Sequence, residues 1–177
     1  LGPFPVCPTR PHSSRALPLL VCALSMVLRY VPPAALHRFM LLRAFTPDAA
    51  HVFITEPQIA AAVIAMNDLI LSIYEDFGFS DVRIKFSDRP EKRIGDDVVW
   101  DKAEAALMAA LKASGRPWSL NKGEGAFYGP KLEYVLRDAI GREWQCGTIQ
   151  IDLNMPGRLG AFFIAAHSNK STPRILT

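Results

Sequence analysis

A glycine-rich segment at residues 123–131, GEGAFYGPK, carries the residue types best suited to binding a charged ligand. Its three glycines let a ligand approach the backbone closely, while Tyr128 offers a hydroxyl group and Lys131 a positive charge. These features indicate phosphate or carboxylate binding, although the spacing is not that of a Walker loop and no helix is predicted to follow. From the residues alone, a plain turn before a hairpin is the favoured alternative.

Two glutamines follow on a predicted strand. Gln145 and Gln150 have opposite parity in the sequence, so a regular strand would direct their side chains to opposite faces. A β-bulge at Gly147 would bring both side chains to one face, where they could line one site. The alternative is that one of the two glutamines is simply exposed to solvent.

His51 is the one histidine that lies in an apolar stretch with an acid nearby, Asp48. Zinc sites need three or four ligands, and no spacing around His51 supplies them, so a core or surface histidine is the favoured interpretation. The charged run at 89–95, RPEKRIG, is expected to be a solvated loop, with a phosphate contact as the alternative.

The elements around these residues predict an α+β domain. Apolar residues at three- and four-residue spacings indicate amphipathic helices at 55–78 and 97–114. Alternation of apolar and polar residues indicates a strand at 82–86 and a hairpin with arms at 131–138 and 143–153. This order of elements predicts an antiparallel β-sheet flanked by helices.

The overall composition limits the classes to which the chain can belong. With 177 residues, of which 50% are hydrophobic, it can form the core of one domain, and this excludes global disorder. Its net charge of +3 suits an anionic partner without requiring one. The 3 cysteines form no C-x-x-C pair, which excludes a local zinc knuckle, and no clean apolar window predicts a membrane span.

The first 47 residues differ in composition from the rest. They contain no Asp, Glu or Lys, all five of their charged residues are Arg, and they hold 8 of the 14 prolines. Such a head is typical of an organellar transit segment or a signal-like segment. The third interpretation is a divergent or degraded part of the domain itself. We therefore divide the chain into a divergent head, 1–44, and a core, 45–177.

Taken together, these segments resemble the catalytic domain of threonyl-tRNA synthetases, a family of class II aminoacyl-tRNA synthetases. The resemblance is nearly continuous from about residue 45 to residue 160. The long string GEGAFYGPK followed at a fixed distance by QCGT is the most specific part of it. The segments that carry it are 45–53 (against the family's FTQDDAHIF), 89–95, 123–131, 145–152 and PGRL at 156–159.

The resemblance implies a class II catalytic fold and the activity of a threonine–tRNA ligase. Such enzymes condense threonine with ATP to give threonyl-adenylate and pyrophosphate, and then transfer threonine to tRNA. Threonine, ATP and tRNA are therefore the implied partners, zinc is the implied cofactor, and the implied assembly is a homodimer. No membrane partner is expected. The expected location is the cytoplasm, with a mitochondrion or another organelle as the alternative.

The same resemblance implies roles for individual residues. Tyr128 is similar to the residue beside the substrate amine, and Lys131 to the charge near the forming acyl-phosphate. Gln145 and Gln150 resemble amides of the substrate pocket. Phe45 resembles the aromatic residue that stacks on adenine, and His51 matches one of the family's three zinc ligands. Aligning the head without gaps adds Arg29, which would be the motif 2 arginine that holds the α-phosphate of ATP.

The departures from the family pattern concern the site itself. The motif 2 glutamate falls on Val31, a second phosphate-binding arginine on Leu41, and the acid that recognises the threonine hydroxyl on Ala49. The zinc-ligating cysteine would lie just before Leu1, and the third zinc ligand falls on Thr177. Motif 1, through which the family dimerises, has no counterpart, nor have motif 3 and the anticodon-binding domain. These departures predict a fragment or degenerate copy with little or no activity alone; the alternative is a non-catalytic binding or regulatory module.

Overall fold

A computed structural model describes residues 12–24, 26–28, 30, 43–166 and 168–177. These residues form a seven-stranded sheet with two long helices packed on one of its faces. Every strand pair in this sheet is antiparallel except one pair at an edge, which is parallel. The predicted α+β fold, an antiparallel sheet flanked by helices, is confirmed with that one exception.

The elements have the following bounds. The helices are α1 (Ile59–Asp76), α2 (Asp97–Ser114) and the short α3 (Met155–Arg158). The strands are β1 (His12–Ser13), β2 (Leu19–Leu24), β3 (Val27–Leu28), β4 (Ala44–Phe45), β5 (Asp48–Ile54), β6 (Arg83–Ser87), β7 (Trp118–Asn121), β8 (Lys131–Arg137), β9 (Glu143–Asp152), β10 (Phe163–Ile164), β11 (Lys170–Ser171) and β12 (Arg174–Leu176).

The order in the large sheet is β2-β5-β12-β9-β8-β6-β7, in which β6 and β7 are the parallel pair. Two smaller sheets consist of β1, β10 and β11 and of β3 and β4. The hairpin of β8 and β9 and both long helices lie where the sequence predicts them. Strand β12 is not predicted, because three residues are too few to show an alternating pattern.

Both long helices begin and end at residues that suit those positions. A capping box between Thr55 and Gln58 precedes α1, and it satisfies backbone N–H groups that have no partner within the helix. Helix α2 ends at Gly115, which has a positive φ of 66°, a conformation that glycine adopts without steric cost.

The main core lies between the two helices and one face of the sheet, which we call the helix face. Its largest fully buried side chain is that of Tyr134. Trp100 on α2 is fully buried outside this cluster, and its indole donates a hydrogen bond of 2.9 Å to the carbonyl of Ile94. The helices contribute Ile59, Val63, Leu107 and Leu111 among others, and alternate residues of the strands supply the remaining buried side chains. These include Val52, Ile54, Ile84, Phe86, Leu132, Tyr134, Ile149, Ile151 and Leu176.

Part of the head belongs to the large sheet. Strand β2 pairs along its whole length with β5, from the partners Leu19 and Phe53 to Leu24 and Asp48. Leu17 is buried beside Phe53 in a second, smaller core cluster. Residues 12–24 are thus integrated with the core across the proposed boundary at residue 44, and the division into head and core stays a prediction.

Helix α1 also has the length and composition of a membrane-spanning helix. With the turn before it, the segment Glu56–Asp76 is long and apolar enough to cross a membrane by length and composition, and 17% of its most apolar window is buried. Three of its residues, Ile59, Val63 and Asn67, are buried, and the helix contributes to the main core. The expectation that the chain contacts no membrane stays a prediction.

The β8–β9 turn is held by one carboxylate, and this predicts a pH-dependent stability. Asp138 accepts hydrogen bonds from the Trp144 indole, from the Arg142 guanidinium and from the backbone N–H groups of Ile140 and Arg142. The Trp144 bond, followed by those from Arg142 and Ile140, holds the pKa of Asp138 well below its usual range. A carboxyl with a depressed pKa stabilises the fold above its unfolded-state pKa of about 4, and this contribution is lost as the pH falls through the folded-state pKa.

We therefore expect Asp138→Asn to lower the melting temperature at pH 7, and we expect the difference from the unmodified chain to shrink below about pH 4. Circular dichroism melts across this range measure it. Asp81→Asn is the control, because the Asp81 carboxylate has only a 3.9 Å ion pair with Arg83. A difference that is constant from pH 7 to pH 2 would contradict the assignment.

Candidate functional site

A β-bulge in the hairpin brings the two glutamines to one face. Tyr134 pairs with Gly147, but the next residue of β8, Val135, pairs with Gln145, so Cys146 is the extra residue. Because directly paired residues in an antiparallel sheet share a face, Gln145 lies on the face of Val135. Gln150 pairs with Lys131 on that same face. The predicted bulge is therefore present, one residue before Gly147.

This second face of the sheet, opposite the helix face, carries a continuous row of polar residues that we call the transverse row. Adjacent members are paired across neighbouring strands. The backbones of Gln150 and Thr177 exchange two hydrogen bonds of 2.7 and 3.0 Å, and the His51 Nδ1 atom lies 3.1 Å from the Thr177 hydroxyl. In order across the sheet, the row consists of His51, Thr177, Gln150, Lys131, Ser87 and Asn121.

Tyr128 reaches the middle of the row from the glycine-rich loop. Its hydroxyl donates a short hydrogen bond to the Gln150 side-chain oxygen. Burial, with the nearby Asp152 carboxylate, raises the pKa of the phenol above its ordinary value. Tyr128 is therefore neutral at pH 7, and its hydroxyl holds the Gln150 amide in one orientation.

The ammonium of Lys131 lies in the row beside a buried carboxylate. The Lys131 Nζ atom is 2.5 Å from Glu133, and the two side chains are only 17% and 6% exposed. The Asn121 side chain donates a further hydrogen bond of 3.1 Å to Glu133. This arrangement fixes the position of a positive charge at a partly buried place, where electrostatic interactions are stronger than in water.

The loop that carries Tyr128 is held on both sides by hydrogen bonds of its backbone groups. The N–H groups of Gly123 and Gly125 donate to Asp88, over 2.5 and 2.8 Å. The N–H of Ile94 donates to the Phe127 carbonyl over 2.8 Å, and the Asn154 amide donates to the Tyr128 carbonyl over 3.2 Å. The loop is therefore a positioned part of the site.

The charged run 89–95 belongs to this support and is not the freely solvated loop that its composition indicates. Arg89 makes ion pairs with Glu104 (2.6 Å) and with Asp101 on α2. The hydrogen bonds that the guanidinium donates to these two carboxylates, the one to Glu104 first, raise its pKa. Arg93 pairs with Asp97 over 2.6 Å. These ion pairs hold residues 89–95, the connection between β6 and α2, in the position from which Ile94 contacts the glycine-rich loop.

Three predicted site residues do not join the row. Gln145 shares its face but is exposed and pairs with Val135, four residues from Lys131, which places it about 13 Å from Gln150 along the strand. Phe45 is half-buried on β4, opposite Val27 and outside the large sheet. Arg29 lies outside the described residues. The roles predicted for these three in binding stay predictions.

The residues around His51 do not fit a zinc site. Within the described part of the chain there is no group of three His, Cys, Asp or Glu side chains that could hold a metal ion. The polar neighbour of His51 is the Thr177 hydroxyl, which is not among the common zinc ligands. Burial lowers the pKa of the imidazole, so His51 is neutral at pH 7.

A family model for the core domain of class II tRNA synthetases (those for G, H, P, S and T) matches residues 9–177. This match covers nearly all of the chain. The chain belongs to this class II synthetase core family. Residues 12–24 fall inside the matched region, which agrees with the pairing of β2 in the large sheet.

Within this family, the chain is similar to threonine–tRNA ligases. The chain is 57% identical over 164 residues to the threonine–tRNA ligase of Pelagibacter ubique, and 54% identical over 167 residues to that of Rhizobium rhizogenes. These matches cover 93% and 91% of the chain but only 26% and 25% of the two relatives. The chain thus spans about a quarter of the length of these relatives.

Solved structures agree with this placement. A structure described as the RNA binding domain of threonyl-tRNA synthetase from Cryptosporidium parvum superposes with a TM-score of 0.88 at 36% identity, covering 93% of this chain and 42% of that one. A prolyl-tRNA synthetase from the same organism, with a TM-score of 0.67 and 17% identity over 98% of this chain and 31% of its own, shares the fold alone.

Sequence reasoning missed three residues of the site, namely Ser87, Asn121 and Glu133. Alternation within β6 and β8 would have placed Ser87 and Glu133 on the polar face. Asn121 carries no such signal, because its place depends on the parallel pairing of β7 with β6. A short strand far away in sequence thus completes one end of the row.

A separate cavity lies away from the transverse row. It has a volume of about 550 Å³ and lies among the C-terminal half of α1, the connection to β6 and the start of β7. Its lining includes Leu71, Phe79, Ile84 and Arg116. Because Ile84 belongs to the helix face, this cavity and the transverse row are on opposite sides of the sheet.

Proposed function

We propose that the chain is part of a threonine–tRNA ligase and that the transverse row binds the aminoacyl-phosphate portion of threonyl-adenylate. The observation that carries this proposal is the convergence of Tyr128, Gln150 and Lys131 on one face, with Tyr128 hydrogen-bonded to Gln150 and Lys131 paired with it. The similarity to threonine–tRNA ligases over more than nine-tenths of the chain supports it.

The chemistry of the row suits such a ligand. The Lys131 ammonium stabilises the negative charge of an acyl-phosphate, and Glu133 keeps that ammonium in place. The amide of Gln150, fixed by Tyr128, offers N–H donors to a carbonyl or phosphate oxygen. An extended adenylate that follows β8 and β9 would reach Gln145, so ATP is proposed to lie toward that end, with Phe45 and Arg29 as further contacts.

The chain alone is proposed to have little or no ligase activity, since it spans about a quarter of its relatives. We expect threonine-dependent ATP–pyrophosphate exchange to stay at the background level. The measurement compares the chain with a Lys131→Met variant at the same concentration. Exchange well above background that is lost in this variant would show that the chain is active by itself.

A non-catalytic binding module is the second candidate. It is favoured by the apolar surroundings of His51, where Ala49 and Phe53 flank it on β5. Calorimetry with threonine, ATP and a non-hydrolysable threonyl-adenylate analogue separates the two candidates from a remnant without function. Binding of the analogue without exchange is expected for a module, whereas the absence of any binding would contradict both candidates.

The partners and location follow from the same proposal. Threonine, ATP and tRNA are the proposed partners, and the cytoplasm is the proposed location. The acid-free head supports a mitochondrial or other organellar location as the alternative. Imaging the head, residues 1–44, fused to a fluorescent protein tests this, and a diffuse cytosolic signal is the expected result.

A further inference from the structure

Among the described residues, four side chains surround His51 on its face of the sheet, and one of the four is polar. Val21 lies across from it on β2, and Thr177 on the side of β12. Ala49 and Phe53 lie two residues before and after it on β5. Three of these four side chains are apolar, and none of the four is a carboxylate, thiolate or imidazole that could join His51 at a metal ion.

The thiol of β2 and the carboxylate of β5 that lie nearest to His51 in sequence or pairing are on the other face of the sheet. Cys22 pairs with Ala50, and Asp48 is at the end of β5, so alternation directs both side chains to the opposite face. Asp152 shares the face of His51, but one of its carboxylate oxygens accepts two backbone hydrogen bonds of 2.8 Å, from Asn154 and Met155. The carboxylate is thereby engaged in holding the start of α3.

We propose that His51 and Thr177 form a metal-free hydrogen-bonding contact for the amino-acid end of the ligand. Nδ1 of His51 is engaged by the Thr177 hydroxyl, which leaves Nε2 for a ligand. A hydroxyl can donate and accept at the same time. The pair therefore suits the ammonium or hydroxyl group of an amino acid without an intervening ion. The identity of the ligand rests on the proposed function. The absence of a metal requirement rests only on the residues around His51.

Zinc titrations test the metal-free part. We expect the unmodified chain and His51→Asn to bind Zn²⁺ equally in calorimetry, within about twofold, because any background binding comes from other residues. We expect the double variant Ala49→Asp and Thr177→His to gain about 100-fold in zinc affinity, since it places two donors beside His51. A tight zinc site in the unmodified chain that disappears in His51→Asn would overturn the proposal.

Circular dichroism shows whether the double variant folds. If it does not fold, a second variant provides the test. Thr177→Cys alone adds a thiolate beside His51, and with Co²⁺ it should show a thiolate absorption band that a further His51→Asn change removes. The absence of this band in a folded variant would overturn the placement of Thr177 beside His51.

Ligand binding with and without a chelator tests the remaining part. The affinity for a non-hydrolysable threonyl-adenylate analogue is expected to change by less than about twofold on adding EDTA. Binding that EDTA abolishes would overturn the proposal. If the analogue does not bind under either condition, the proposed function and the ligand contact fail, while the zinc titrations still decide whether His51 is metal-free.

Discussion

Gly129→Ala is expected to destabilise the fold by about 3 kcal/mol or more. The position is buried, and a Cβ atom there would overlap the carbonyl oxygen of Ile151. That oxygen belongs to the backbone of β9 and cannot move aside as a flexible side chain would, because Ile151 is 0% exposed and its N–H donates to Pro130. The glycine-rich loop must therefore shift away from the sheet.

Thermal and urea denaturation measure this effect. For a chain of this size, a loss of about 3 kcal/mol lowers the melting temperature by about 6–12 °C. Gly157→Ala is the matched control, since a Cβ there would meet only Thr172 at 3.8 Å, and a change within about 0.5 kcal/mol is expected. Equal stability of the Gly129→Ala and Gly157→Ala variants would contradict the close packing of the loop on β9.

Lys131→Met is expected to weaken binding of a threonyl-adenylate analogue by about 10- to 100-fold, because a hydrogen bond to a charged group contributes about 1.5–3 kcal/mol. The same substitution leaves Glu133 without its cation at a position only 6% exposed. Removing one partner of a buried ion pair costs about 3 kcal/mol or more of stability. The variant should thus lose both affinity and stability.

A double variant separates these two losses. Lys131→Met combined with Glu133→Gln removes both charges, so stability should return most of the way while the affinity stays low. Lys122→Met, an exposed lysine just before the loop, is the matched control and should change neither. Calorimetry and urea denaturation on the four proteins give the result. Full affinity in the stable double variant would show that Lys131 does not contact the ligand.

Many of the helices and strands can be predicted from the sequence, because each is marked by a pattern of apolar residues within a few consecutive positions. The apolar periodicity of α2 and the alternation in β8 each depend on a few consecutive residues, and both elements lie where predicted. The bulge is also a local feature, since opposite parity of Gln145 and Gln150 leaves few other ways to place both on one face.

The residues of the transverse row cannot be predicted from local sequence, because they depend on which strands become neighbours in the sheet. Three-residue β12 inserts between β5 and β9 and brings Thr177 between His51 and Gln150. The parallel pairing of β7 adds Asn121 at the other end. Such pairings join residues far apart in the chain, and neither propensity nor periodicity reports them. The binding roles of the row residues stay predictions.

We propose that the polar face of the sheet, and not the cavity on the helix face, binds the adenylate. A titration of the ¹⁵N-labelled chain with a non-hydrolysable threonyl-adenylate analogue, followed by two-dimensional NMR, tests it most directly. We predict that the largest shifts of backbone and side-chain amides occur at Gln150, Lys131 and Thr177 and extend to Gln145. Shifts confined to the cavity around Leu71 and Phe79, or no saturable shifts at all, would contradict the claim.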